Sequence, residues 1–195
     1  MTIKLRHSKS KNNRFRGVFV KLLLVCVLCF GGPFQAANAA SVEKEYRIKA
    51  ALLINLLRFS SWPSKENDSP STLCIVGQSN LAPLLPTIEK QKIKGKPIAI
   101  TKVEEEQIST NCNVLFISKS AHLTQSKIKA LNEMSILTVG EDKNILKQGG
   151  LVGLVRRYRN NNFTISLEIN LKATLESGIK ISSDVIQLAT VVEVP

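Results

Sequence analysis

The sequence predicts a single α/β domain: a mixed sheet flanked by helices on both faces, with a C-terminal β-hairpin followed by two helices. Short apolar runs at Leu73–Val76, Lys96–Val103, Val114–Ile117 and Ile136–Val139 alternate with helical segments through the middle of the chain, an order that builds a sheet covered on both faces. Phe163, Ile165, Leu167 and Ile169 then alternate strictly with Thr164, Ser166, Glu168 and Asn170. Successive strand residues point to opposite faces, so this pattern is one half-buried strand. A chain of 195 residues has room for one ordinary domain with a sizeable core.

Residues 1–39 read as a leader and 40–195 as the domain. The leader holds seven basic side chains between Lys4 and Lys21 and no acid, followed by an apolar stretch, Leu22–Phe30, and by Ala37-Asn38-Ala39. Basic, apolar and small-x-small regions in that order make a secretory signal peptide. The apolar stretch falls short of the roughly 20 residues that span a bilayer, so cleavage after Ala39 is expected rather than anchoring. Val25 and Leu28 precede Cys26 and Cys29, where a lipidation signal needs a small residue. The leader contains seven of the 27 basic residues and none of the 15 acidic ones, so its loss lowers the formal charge from +12 to +5. That moderate charge gives little support to nucleic-acid binding.

In the mature part, Ser41 is placed to cap a helix ending near Phe59, with Glu43 and Glu45 in its first turn. Tyr46, Ala50, Leu53 and Leu57 form its main apolar stripe, and further apolar residues round the helix predict burial on more than one side. Trp62-Pro63 ends it, since proline disfavours helical angles in the residue before it. Ser64–Thr72 is a polar turn, and helices are predicted over Leu81–Lys90, Thr124–Asn132 and Asp142–Lys147. The strand opened by Gly150 returns through Asn160-Asn161-Asn162 to Ile169 as a hairpin, because asparagine tolerates left-handed backbone angles. Asn170 caps a helix stopping at Gly178. Ser182 or Ser183 caps another, with Val185, Leu188, Ala189 and Val192 on one face.

Few residues point to chemistry. Val76-Gly77-Gln78-Ser79-Asn80 joins a strand to a helix, a place where backbone N–H groups can hold phosphate. It has one glycine and lacks the lysine of a phosphate loop, so a helix cap is the better reading. His122 is the single histidine after the leader and has no glycine-flanked serine with which to form a hydrolase site. Glu104-Glu105-Glu106 reads as a solvated acidic turn rather than a calcium site. Arg156, Arg157 and Arg159 with Tyr158 read as a charged hairpin tip that discourages edge pairing, or as a patch for an acidic protein surface or anionic head groups. Cys74 and Cys112 are the cysteines of the mature part. Export would place them in an oxidising compartment, where an even pair reads as a bridge before a metal site or a nucleophile. Such a bridge is worth roughly 3–4 kcal/mol on the chain-entropy relation. No cofactor or metal set is apparent, and no enzyme activity is expected.

Several segments resemble one family. Glu45-Tyr46-Arg47-Ile48-Lys49-Ala50-Ala51-Leu52, with Phe59 and Trp62-Pro63, is similar to the opening signature of the YfiR family of small periplasmic proteins. Leu73–Gly77, Cys112–Ser118 and Ile136–Gly140 resemble its successive strands. Gly149-Gly150, Phe163–Leu171 and Gly178–Ser183 resemble its closing part, so the likeness runs in order through nearly all of 42–192. The resemblance implies a non-enzymatic periplasmic regulator that binds the periplasmic part of an inner-membrane diguanylate cyclase and represses it, which lowers cyclic di-GMP and restrains biofilm formation. It also implies relief of that repression by an outer-membrane, peptidoglycan-associated lipoprotein. Cys74 and Cys112 match positions that pair in such proteins. A second cysteine pair of some relatives is missing here, since 137–153 contains none. Tyr46, Trp62, Arg156, Arg157, Tyr158 and Arg159 are the candidate partner contacts, because aromatic and arginine side chains anchor interfaces. A homodimer is compatible with the sequence, which shows no interface for it. The alternative function is a periplasmic small-molecule binding or sensor protein without a cyclase partner, using Gly77–Asn80. A third reading is a hydrolase centred on His122.

Overall fold

The computed structural model describes residues 34–63, 69–160 and 162–193. Residues 1–33 of the predicted leader and residues 64–68 of the Ser64–Thr72 turn lie outside the described residues. The chain divides between Ser41 and Val42, and the unit from Val42 onward holds the sheet and both cores.

Helix α1 spans Phe34–Phe59. Ser41 therefore lies inside the helix and not at its start: the alanine-rich stretch before it continues the helix at low cost. The helix stops at Phe59, short of Trp62, because β1 (Ser60–Ser61) leaves it to pair with β10 (Lys180–Ile181). Then follow β2 (Thr72–Val76), a 3-10 turn at Ala82–Leu84 and α2 (Leu85–Glu89). The single helix expected over Leu81–Lys90 is broken because Pro83 and Pro86 lack the N–H that a helix interior uses, so each sits near the start of its own segment. The strand expected over Lys96–Val103 also divides. β3 (Lys92–Ile93) and β4 (Lys96–Pro97) make a small hairpin turned by Lys94 and Gly95, both at positive φ, and β5 (Ala99–Val103) follows.

The remaining elements are β6 (Val114–Ile117), α3 (Gln125–Glu133), β7 (Leu137–Gly140), α4 (Asn144–Lys147), β8 (Val152–Arg159) and β9 (Asn162–Asn170). After them come α5 (Leu171–Glu176), α6 (Ser183–Leu188) and β11 (Thr190–Val192). Several expected devices are in place. Thr124 accepts a hydrogen bond from the Lys127 N–H, Asn170 from the Ala173 N–H and Ser182 from the Asp184 N–H. Gly178 has φ +76°, and a Cβ there would lie 3.1 Å from the Pro63 ring. Arg159 pairs with Asn162 across the hairpin, whose turn starts with Asn160 at φ +47°. The last helix, however, ends at Leu188. Val192 leaves the expected helical stripe because β9 captures Thr190–Val192 as a parallel edge strand.

The main sheet has the order β11-β9-β8-β7-β6-β2-β5. β5, β2, β6, β7 and β8 are parallel neighbours, while β9 runs antiparallel to β8. Counted along the chain, the parallel strands stand in the order 2-1-3-4-5 of a doubly wound sheet. Alternation divides the interior into two cores. Leu73, Ile75, Val114, Phe116, Leu137 and Val139 pack with Leu53, Leu56 and Leu57 of α1 on one face. Leu115, Ile117 and Val76 pack with Ile128 and Leu131 of α3 and Ile145 and Leu146 of α4 on the other. The second core also contains Cys74 and Cys112, which form a disulfide with Cα atoms 5.6 Å apart. It joins β2 to the segment entering its neighbour β6, as the order of strands requires.

Candidate functional site

In a doubly wound sheet, ligands bind beyond the carboxyl ends of the strands where the strand order reverses, which here lies between β2 and β6. This chain fills that place with its own side chains. Ser120 Oγ accepts from the Gln78 N–H at 2.7 Å and lies 2.9 Å from Ser118 Oγ. A Cβ on Gly77, which has φ +79°, would run into both hydroxyls. Ser79 Oγ takes the Leu81 N–H at 3.2 Å. Of the backbone donors at Gly77–Asn80, the Gln78 N–H is therefore committed to the protein. His122 is exposed at the same end; its backbone N–H donates to Glu105 Oε1 at 2.7 Å. That contact gives one of the three adjacent glutamates a local structural role.

Beside this edge, α1 carries charge into the interior. Lys49 is 1% exposed and Glu45 6%; they stand one turn apart and pair at 2.7 Å. Lys49 also lies 3.5 Å from Glu141 Oε1, just beyond β7, and the Tyr46 hydroxyl donates to the same oxygen. Glu141 Oε2 accepts the Lys119 backbone N–H at 2.9 Å. At the other end, Arg156 of β8 donates to Glu45 Oε2 at 2.7 Å. Two cations thus balance two carboxylates along a chain that runs from the β6 and β7 loops, through α1, to the hairpin. Burial alone would raise the Glu45 carboxyl, but the Lys49 hydrogen bond and the charges of Lys49 and Arg156 outweigh it and hold Glu45 below its ordinary value. Burial, then the hydrogen bond to Glu141 and the charges of Glu141 and Glu45, raise the Tyr46 phenol, against a smaller opposing effect of Asn80. Tyr46 is neutral at any physiological pH. Desolvating four charges gains little stability over apolar packing. The network links α1 to the hairpin through Glu45 and Arg156.

The hairpin grows outward from that anchor. Arg156 stacks on Phe163, 4.1 Å from the ring centroid, with Tyr158 at 4.9 Å and Lys44 of α1 over Phe163 at 5.5 Å. Each such contact is worth about 0.5–2 kcal/mol depending on its exposure. Arg157 pairs with Glu168 on the other face of the sheet. Tyr158 is 72% exposed, and Arg159 beside it is exposed. The structure thus places Arg156, Arg157, Tyr158 and Arg159 on one projection, alternating between the two faces of the hairpin. Tyr46 is not on it: its ring is buried and its hydroxyl is held by Glu141. Trp62 is half-buried near the opposite edge of the sheet, packed against the first core. Glu45, Lys49 and Glu141 were missed by sequence reasoning. The i, i+4 spacing of Glu45 and Lys49 was a usable signal, whereas nothing local connects either one with Glu141.

Residues 46–190 match the family model described as YfiR/HmsC-like. The chain belongs to the YfiR/HmsC-like family. The matched range takes in α1 from Tyr46, both cores, the hairpin and the start of β11. YfiR/HmsC-like proteins are periplasmic regulators of cyclic di-GMP signalling rather than enzymes. Among the described residues, no helix is long and apolar enough to cross a membrane, and no cluster of His, Cys, Asp and Glu is arranged to hold a metal ion.

Proposed function

We propose that this protein is exported with removal of residues 1–39 and that its domain, 40–195, represses an inner-membrane diguanylate cyclase by binding the cyclase's periplasmic part. The observation that carries the reading is the β8–β9 projection. An exposed tyrosine between arginines is held in place by a buried ion-pair chain, so little is spent on ordering it when a partner binds. Arg157, Tyr158 and Arg159 are the contacts, and Arg156 positions them through Glu45. Trp62, at the opposite edge, is a secondary candidate. Repression requires that the protein bind the inactive cyclase more tightly than the active one, since a ligand of equal affinity for both states shifts nothing. An outer-membrane, peptidoglycan-associated lipoprotein that captures the same face would relieve repression by competition and release biofilm formation.

The test is capture of the cyclase from detergent-solubilised inner membranes on immobilised protein, with Tyr158→Ala/Arg159→Glu as the paired control. A diguanylate cyclase retained by the wild type and lost with the double variant is expected. Retention of no cyclase, or equal retention by both proteins, would count against the hairpin reading.

A further inference from the structure

The excess positive charge of the domain is collected in one place. From Lys90 to Lys102 stand five lysines and no acid, bounded by Glu89 and Glu104. That run equals the whole net charge of +5 on residues 40–195, and the rest of the domain sums to zero. Lys90, Lys92, Lys94 and Lys96 belong to the β3–β4 hairpin or its entry, and the first three are exposed. Lys94 is in the turn itself at φ +50°, a conformation that glycine or asparagine adopts at less cost. Arg58, at the end of α1, lines the same cleft as Lys94 and Lys96, where Glu133 is the single acid among the described residues. The cluster lies at the amino end of the sheet, because Lys96 precedes β5 and β5 is parallel to β2, β6, β7 and β8. Glu104-Glu105-Glu106 follows β5 at the carboxyl end. This edge of the sheet is therefore basic at one end and acidic at the other.

We propose that the lysine cluster docks the domain on the anionic lipid head groups of a membrane surface, with the amino end of the sheet toward the lipid. An acidic protein is the poorer match. Protein interfaces are depleted in lysine and enriched in aromatic side chains and arginine, which is the composition of the β8–β9 tip. Lysine is a compact, strongly hydrated charge on a flexible stem, suited to mobile head groups that demand no fixed fork geometry. Each lysine beside such a surface strengthens association about fivefold. The acidic far end is repelled, so the same field also orients the domain. In that pose Arg157, Tyr158 and Arg159 point away from the lipid, roughly 30 Å along the strands from the amino end. That last consequence, and the choice of the periplasmic surface of the inner membrane, rest on the function proposed above. Lipid binding itself does not.

Co-sedimentation with vesicles tests this without any cyclase. The protein used is residues 40–195, which hold the sheet and both cores; the basic leader would bind anionic lipid by itself. Phosphatidylcholine vesicles with about 30% phosphatidylglycerol should retain the protein in about 50 mM salt, and pure phosphatidylcholine should not. Raising the salt to about 500 mM should weaken binding by about tenfold or more, because exposed charges are then screened. Lys90→Gln/Lys92→Gln should weaken it by about tenfold or more with an unchanged thermal melt. Lys143→Gln/Lys147→Gln removes the same charge from exposed positions at the carboxyl end and should change binding by less than about twofold. Equal binding to both kinds of vesicle, or binding to neither, overturns the proposal. So does an equal loss in the two double variants, since net charge rather than the cluster would then govern association. A protein that ignores vesicles yet captures the cyclase removes the lipid contact and leaves the proposed function standing.

Discussion

Cutting the Cys74–Cys112 bridge tests the second core quantitatively. The cysteines are 38 residues apart in sequence, and closing a loop of that length removes unfolded-chain entropy worth about 4 kcal/mol at 25 °C. Both side chains are almost fully buried, so replacing both with alanine also loses about 1–2 kcal/mol of packing. The combined loss lowers Tm by about 10–20 °C for a domain of this size. The single variants separate the two contributions. Cys74→Ala alone already opens the loop, so it should fall nearly as far as the double variant; additive, independent sites would each give only a share of the whole. Guanidinium chloride unfolding followed by circular dichroism reads both quantities, and the slope should rise because the unfolded chain without the bridge exposes more surface. Single variants that each lose half of the double variant's stability would refute the loop-entropy reasoning. Free thiols in the unreduced, unfolded protein would remove its premise.

Lys49→Ala should destabilise by about 3–5 kcal/mol in the same assay, because it leaves two buried carboxylates with one cation fewer. The Glu45 carboxyl has its folded pKa below the unfolded value. Its contribution is therefore fully present above the unfolded pKa of roughly 4.5 and is lost as pH falls through the folded pKa. Between pH 6 and pH 3, wild-type stability should accordingly drop more than that of Glu45→Gln, as followed by urea titration at each pH (a range set by the ordinary carboxylate pKa of about 4). Thr138→Val should cost about 1–3 kcal/mol, because the Thr138 hydroxyl accepts the Leu151 N–H at 3.1 Å and donates to Asn132 Oδ1 at 2.8 Å. Tyr158→Ala, by contrast, should cost no more than about 1 kcal/mol, the worth of an exposed contact with Arg156.

What the sequence made legible was local. The alternation from Phe163 to Asn170 marked β9, Asn170 and Gly178 marked the ends of α5, and the apolar runs marked the parallel strands. Misreadings arose where a distant element overrode a local pattern. Val192 fits a helical stripe with Val185 and Leu188, but the free edge of β9 holds it extended. The Tyr46 hydroxyl, likewise, donates to Glu141, 95 residues away, a pairing that no local pattern announces. Lys49, a basic residue beside the apolar stripe of α1, is among the most buried side chains. The hairpin tip was legible as a charged turn. Its attachment to α1 through Arg156 and Glu45 was not, because that contact spans 111 residues.

Cyclic di-GMP measured in cells from which this chain has been deleted, and then restored, bears most directly on the idea that it acts by binding a cyclase. Deletion should raise the nucleotide several-fold, the wild type should bring it back down, and an exported, folded Tyr158→Ala/Arg159→Glu variant should not. An unchanged nucleotide level on deletion, or full restoration by the hairpin variant, would contradict the account.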